Sequence, residues 1–245
     1  MKNLIILCSV FMFFGCNSEN GSDCFKKQGT LVSQVIETDV FSKINISQGI
    51  ALTVSQAEEI SVKVIYGENL IEDIRFEVMD GELKITNANG CEMMRNYHPA
   101  QVMVALPDLE KIYSSSQYSV HSEGVLTFPE LLLESGIVMN TPSSAFEMEI
   151  NNQVLKINDN AGSVYKIKGK TKLMDVRFWG GDGRLDAGDL QSDEITVYHR
   201  STNDMIVFPR NKISGKLAST GNLVLKNVPP VIEIEQLFTG KVIYP

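Results

Sequence analysis

Phe146-Glu-Met-Glu-Ile150 and Val164-Tyr-Lys-Ile-Lys168 decide how this chain folds. In both stretches the apolar residues stand two apart, the period of a strand with one buried face. If Met148 stacks over Ile167, Glu147 and Glu149 come to face Lys166 and Lys168. Opposite charges on neighbouring strands add about 0.2–1 kcal/mol per pair and fix the register. The other reading is a charged surface that is merely solvated.

Outward from these two stretches the pattern recurs from Leu109 to the end, in about seven copies with a period of roughly 15 to 23 residues. Each copy opens with a short apolar strand: Leu109–Ile112, Leu131–Leu133, Val154–Ile157, Leu173–Val176, Ile195–Val197, Ile213–Leu217 and Val231–Ile234. After a turn rich in Ser, Gly, Asn and Asp comes a second strand: Tyr118–Val120, Phe146–Ile150, Val164–Ile167, Arg184–Ala187, Met205–Phe208, Asn222–Leu225 and Lys241–Tyr244. Two strands and two turns make one coil of a solenoid, and neighbouring coils supply the backbone partners that an isolated coil lacks. The expected fold is all-β, a right-handed parallel β-helix or β-solenoid over residues 108–245.

Residues 33–107 alternate as well, at Phe41-Ser-Lys-Ile44-Asn-Ile46, Ile50-Ala-Leu52-Thr-Val54, Ile60-Ser-Val62-Lys-Val64 and Phe76-Glu-Val78. Asp80-Gly81, between Phe76–Val78 and Leu83-Lys-Ile85, signals a hairpin, because both central turn positions want positive φ. Asn87 to Pro99 reads as a polar loop, and Glu68 to Asp73 as a single helical turn. This N-terminal β segment is expected to cap or continue the solenoid within one continuous domain.

The first residues have a different logic. Lys2 precedes the apolar stretch Leu4–Phe14, too short to span a bilayer as a stable helix, and Gly15-Cys16 follows where a secretory cleavage site belongs. The junction resembles the bacterial lipoprotein box, with Phe13 standing where that pattern prefers Leu. Residues 1–15 are therefore expected to be a signal peptide, Cys16 the lipidated first residue, and 16–32 a polar tether. Ordinary secretion with soluble release is the alternative. Asn17 after the cysteine suggests transport to the outer membrane, facing the periplasm or the surface, with the membrane met through the lipid anchor only. Cys24 and Cys91 would then meet an oxidising compartment, where they either form a disulfide or stay unpaired.

With 22 Lys+Arg against 30 Asp+Glu the net charge is −8, which argues against nucleic acid as a partner. His98, His121 and His199 lie apart from any Cys or Glu at ligand spacing, so neither a metal nor a cofactor is expected. Gly180-Gly-Asp-Gly183 begins like a calcium-binding nonapeptide, yet Leu185 stands where Asp is required and no tandem copy follows. A tight turn is the plainer reading. Asp182, Asp186 and Asp189 beside Arg177 and Arg184 also invite comparison with carbohydrate-active β-helix hydrolases and lyases. The favoured expectation is a noncatalytic binding or scaffold module for glycan or an envelope protein. Its candidate ligand residues are Arg177, Trp179, Asp182, Arg184, Tyr198 and His199, which concentrate aromatic and hydrogen-bonding groups on adjacent coils.

Several fragments together resemble the head GIN domain family, also labelled putative auto-transporter adhesin. They are Phe41-x-x-Ile44-x-Ile46, Gly49-Ile50-x-Leu52-x-Val54-x-Gln56, Val62-x-Val64, Asp80-Gly81-x-Leu83-x-Ile85 and Val102-x-Val104-x-x-Pro107-x-Leu109-x-x-Ile112, then Gly221-Asn222-Leu223, Pro229 and Gly240-Lys241-Val242. Ser114-Ser-Ser116 and Phe238-Thr239 depart from that family's Gly-Ser turns. The resemblance implies a mostly parallel β-helix on an exported, often lipid-anchored protein. The adhesin label is an architectural analogy and names no ligand.

Overall fold

The computed structural model describes residues 27–88, 98–137 and 144–245. Alternation of apolar and polar residues turns nearly every element among them into a strand, and they contain no α-helix. The expected turn near Glu68 is a single 3-10 turn, Ile71–Asp73.

The strands stack into two parallel ladders. The first holds β6 (Glu82–Asn87), β2 (Lys43–Ile46), β8 (Lys111–Ser114), β10 (Glu130–Ser135), the second halves of β11 (Ala145–Asp159), β12 (Val164–Phe178), β13 (Arg184–His199) and β14 (Met205–Leu217), then β16 (Val231–Gln236). The second holds β7 (Ala100–Leu106), β3 (Ile50–Gln56), β9 (Val120–Leu126), the first halves of β11 to β14, β15 (Leu223–Leu225) and β17 (Val242–Ile243). From β8 to β16 the chain climbs about six turns of a solenoid. The register is the one the charges called for: Met148 faces Ile167, Glu147 faces Lys166 and Glu149 faces Lys168.

The sequence suggested two separate strands per copy, whereas β11 to β14 run unbroken for 15, 15, 16 and 13 residues. At the bends of β11, β12 and β13 a polar side chain lets the strand turn the corner while its ladder continues, and in β14 Pro209 takes that register position. Asn152, Thr171 and Ser192 stand in register and each donates to the carbonyl two residues on, at 3.0, 3.2 and 3.1 Å. Just before the bend of β12, Gly169 has φ +109°, and a Cβ there would lie 2.0 Å from the Ile150 carbonyl oxygen. Only glycine lets two coils approach so closely.

The N-terminal segment continues the solenoid, in an order the sequence does not announce. β2 and β3 lie inside the stack, between β8 and β9 on one side and β6 and β7 on the other. The chain leaves β3 through β4 (Ser61–Gly67) and β5 (Ile74–Met79), which pair antiparallel with β7 and β6 and close that end. Asp80 (φ 51°) and Gly81 (φ 71°) form the expected tight turn between β5 and β6. β1 (Leu31–Ile36) adds antiparallel to β4, so Leu31 and Val32, the last two residues of the expected tether, are strand. Cys16, Cys24 and Cys91 lie outside the described residues.

Inward-facing side chains form columns one coil apart. Phe146 stacks on Tyr165 with centroids 4.8 Å apart and planes 5° from parallel, and across the core Tyr165 meets Phe178 of its own strand at 5.8 Å. Such pairs add about 0.5–1.5 kcal/mol each beyond area burial.

Candidate functional site

The six candidate ligand residues follow two strands and the turn that joins them, and strand parity separates them. Phe178 is buried, so Trp179 swings out of the core where the first ladder ends, its backbone N–H donating to the Asp159 carbonyl at 2.8 Å. Its indole is 42% exposed and leans on Tyr198, with centroids 5.2 Å apart and planes at 43°. Tyr198 stands in register beside Arg177 on the outer face of the first ladder. Three hydrogen bonds of 3.0–3.2 Å tie the Arg177 guanidinium to Asp175, and this carboxylate raises the pKa of Arg177 further. Arg177, Trp179 and Tyr198 thus form a fixed cation and aromatic patch.

The other three stand apart from that patch. Asp182 is exposed in the turn, its backbone carbonyl accepting from the Asn203 amide, and Arg184 begins the strand of the second ladder. His199 overturns its assignment as a surface ligand residue: it is fully buried, edge-on to Phe178 at 6.2 Å. Ile195, Val197 and His199 share one parity, so the alternation that marked the strand also placed this histidine inside. Neither ring nitrogen has a hydrogen-bond partner in good geometry among the described residues. Burial lowers its pKa, and nearby backbone at Asn222 and Asn203 offsets this only in part.

Sequence reasoning missed the polar part of the same inward column, which runs Ser114, Ser135, Asp159, Phe178, His199, Leu217. Asp159 is fully buried and accepts from the Ala161 N–H (2.8 Å), the Ser163 N–H (3.2 Å) and the Tyr165 hydroxyl (3.0 Å). Burial still outweighs these donors and raises the Asp159 pKa. Burial and this carboxylate together push the Tyr165 phenol well above its ordinary range, which keeps it a donor. Ser163 donates to Ser135 at 2.9 Å and lies 3.1 Å from the Ser144 hydroxyl. The network knits three coils at one corner, and Ser135, Ser144, Asp159, Ser163 and Tyr165 are all buried, so its role is structural. The signal in the sequence was an Asp at an inward position followed by Ser163 and Tyr165.

A groove of about 440 Å³ crosses the outer face of the second ladder. Its shape comes from bulges on both flanks. The five residues of β9 from His121 to Val125 span what the three from Glu147 to Glu149 span in β11, and β13 carries an extra residue between Asp186 and Leu190. On the floor between them His121, Glu147, Lys166 and Asp186 stand in one row. Glu147 lies 2.8 Å from Lys166 and 3.5 Å from His121 Nδ1, and Glu149 lies 2.9 Å from Lys168. A hydrogen bond from Lys166 holds the Glu147 carboxyl below its usual range. Asp186 and Asp189 line this groove, away from the turn carrying Asp182, and among the described residues no group of three His, Cys, Asp or Glu could hold a metal ion. Asp182 therefore does not share a site with Asp186 and Asp189.

Two parallel ladders wound about one apolar core define a β-solenoid module. The chain belongs to the head GIN domain family: the family model described as putative auto-transporter adhesin, head GIN domain, matches residues 40–229. Similar solved structures include a putative adhesin from Bacteroides fragilis NCTC 9343, with TM-score 0.79 and 16% identity over 88% of this chain and 97% of that one. A putative adhesin from Parabacteroides merdae ATCC 43184 gives 0.66 and 14%, over 89% and 97%. A putative lipid binding protein from Parabacteroides distasonis ATCC 8503 gives 0.65 and 14%, again over 89% and 97%. At these identities the likeness is one of fold. No curated protein matches the sequence. Among the described residues no helix is long and apolar enough to cross a membrane.

Proposed function

We propose that the protein is a noncatalytic module of the cell envelope, anchored to the outer membrane through lipidated Cys16, whose first-ladder face binds glycan. The observation that carries the binding half is the exposed Trp179 leaning on Tyr198 beside Arg177. Aromatic rings offer large contact area at low cost in conformational entropy, and a ladder that is already rigid loses little more on binding. An envelope protein is the second reading, favoured by the same trio, since Trp, Tyr and Arg dominate protein hot spots. A carbohydrate-active enzyme needs two carboxyl groups flanking one glycosidic bond. The separation of Asp182 from Asp186 and Asp189 speaks against that use of the turn.

The family's adhesin description is consistent with an envelope role, and the anchor rests on the Leu4–Phe14 stretch and Gly15-Cys16. Acyl chains, at about 0.8 kcal/mol per buried CH₂, hold such a terminus without a membrane-spanning helix. Detergent partitioning of the wild type and Cys16→Ala in a host competent for lipidation tests the anchor; identical aqueous behaviour refutes it. Binding is tested on a glycan array with the wild type and Trp179→Ala. A folded variant with weakened binding supports the site, whereas unchanged binding with lost stability reduces Trp179 to packing. Release of reducing ends or unsaturated products from polysaccharides, abolished by Asp186→Asn, would replace the binding reading with the enzymatic one.

A further inference from the structure

The two ends of the solenoid differ. β4 and β5 fold antiparallel over the N-terminal end, while at the other end β16 and β17 pair on one side only, with β14 and β15. Among the described residues no strand pairs with their outer edges. Alternate N–H and C=O groups there are presented to a further strand. The apolar layer beneath is also incomplete. Ile232 and Val242 are only partly buried, whereas Ile213 and Leu223, their register partners one coil earlier, are fully buried. Phe238, at 61% exposure, and Tyr244, at 54%, rim this end. An open edge over an unfinished apolar layer is the geometry that accepts an added strand.

Charge decides what that strand carries. The outward residues of β16 are Val231, Glu233 and Glu235, and the two glutamates meet Lys212 at 2.7 Å and Lys216 at 2.9 Å on the coil below. A strand on the free edge completes the alternation if it sets basic residues over Glu233 and Glu235. A second copy related by a two-fold axis has to pair antiparallel. If Ile232 and Ile234 stay inward, each register overlapping by more than three residues of β16 sets Glu233 against Glu233 or Glu235 of the other copy. Like charges directly opposite destabilise a pair.

We propose that the free edge of β16 and β17 is a docking site for an extended segment of another protein. The segment enters as an added strand, with apolar side chains toward Ile232 and Ile234 and Lys or Arg at alternate positions over Glu233 and Glu235. This site lies at the end of the stack, apart from the Trp179 patch, and does not rest on the glycan reading.

Backbone hydrogen exchange of the full chain tests it with two synthetic heptapeptides, Thr-Lys-Ile-Lys-Val-Lys-Thr and its counterpart with Glu in place of each Lys. The Lys peptide is expected to slow exchange saturably within residues 231–244 and to leave residues 177–198 unchanged, with the Glu peptide at least tenfold weaker. In the double variant Glu233→Lys/Glu235→Lys the preference inverts. Both glutamates are exposed, and the wild-type comparison of the two peptides stands if that variant fails to fold. Methylating alternate amide nitrogens of the Lys peptide abolishes protection if the contact is a ladder. No protection by the Lys peptide, equal protection by both, or concentration-dependent self-association protecting the same residues overturns the proposal. Loss of glycan binding in Trp179→Ala leaves these outcomes untouched, so the two readings fail separately.

Discussion

Glu147 Oε1 accepts a hydrogen bond from Lys166 Nζ at 2.8 Å, across adjacent coils at facing ladder positions. The contact joins register to charge, and it recurs two residues on between Glu149 and Lys168. Lys166 lowers the Glu147 pKa, so this interaction stabilises the fold above the unfolded-state value near 4.3 and fades as pH falls through the folded value. Lys166→Ala is expected to return the Glu147 carboxyl toward its ordinary range in an NMR titration. The pair is largely exposed, so the loss of stability should stay within about 0.2–1 kcal/mol.

Tyr165→Phe removes one of three donors to buried Asp159. A hydrogen bond to a charged group contributes about 1.5–3 kcal/mol, which is the loss expected in urea denaturation at pH 7. Because burial already raises the Asp159 pKa, its contribution is full below about 4 and falls as pH rises through the folded value. The variant raises that value further, so its cost should be smaller at pH 3.5 than at pH 7. An equal cost at both would mean that Asp159 does not titrate there.

His199→Leu should gain stability on acidification relative to the wild type. Burial lowers the folded pKa of His199, so the unfolded chain takes up its proton first. Wild-type stability is present above about 6.5 and falls as pH drops through that value toward the folded one. Thermal midpoints at pH 8 and pH 5.5 measure the difference, which should shrink in the variant.

Gly169→Ala and Gly81→Ala separate crowding from backbone conformation. Both glycines have positive φ, but a Cβ at Gly81 meets nothing within 4 Å, whereas at Gly169 it meets the Ile150 carbonyl at 2.0 Å. Gly81→Ala should cost about 1–2 kcal/mol. Gly169→Ala should exceed about 3 kcal/mol, because a backbone obstacle cannot rotate away.

Much of the solenoid was legible because period-two alternation is a property of the chain itself. It marked strands in the copies from Leu109 onward, although the second strand of the first copy, read as Tyr118–Val120, runs over Val120–Leu126; it set Glu147 against Lys166, and Asp80-Gly81 announced its hairpin. The same parity was enough to place His199 inside with Val197, although its residue type drew attention as a ligand. Asp159 was overlooked because Asp in a Gly- and Ser-rich turn ordinarily signals a solvated bend.

The sequence by itself determined which side chains turn inward and which stretches are strands, since both follow from local alternation and turn chemistry. The tertiary structure decided which strands are neighbours. Nothing local distinguishes β2 as a partner of β6 from β2 as a partner of β8, and it has both, because parallel strands of one coil look alike from either edge. It also decided that Trp179 meets Tyr198 and that bulges in β9 and β13 open a groove over β11 and β12. Those outcomes depend on register between residues far apart in the chain, where one extra residue on one strand moves everything that faces it.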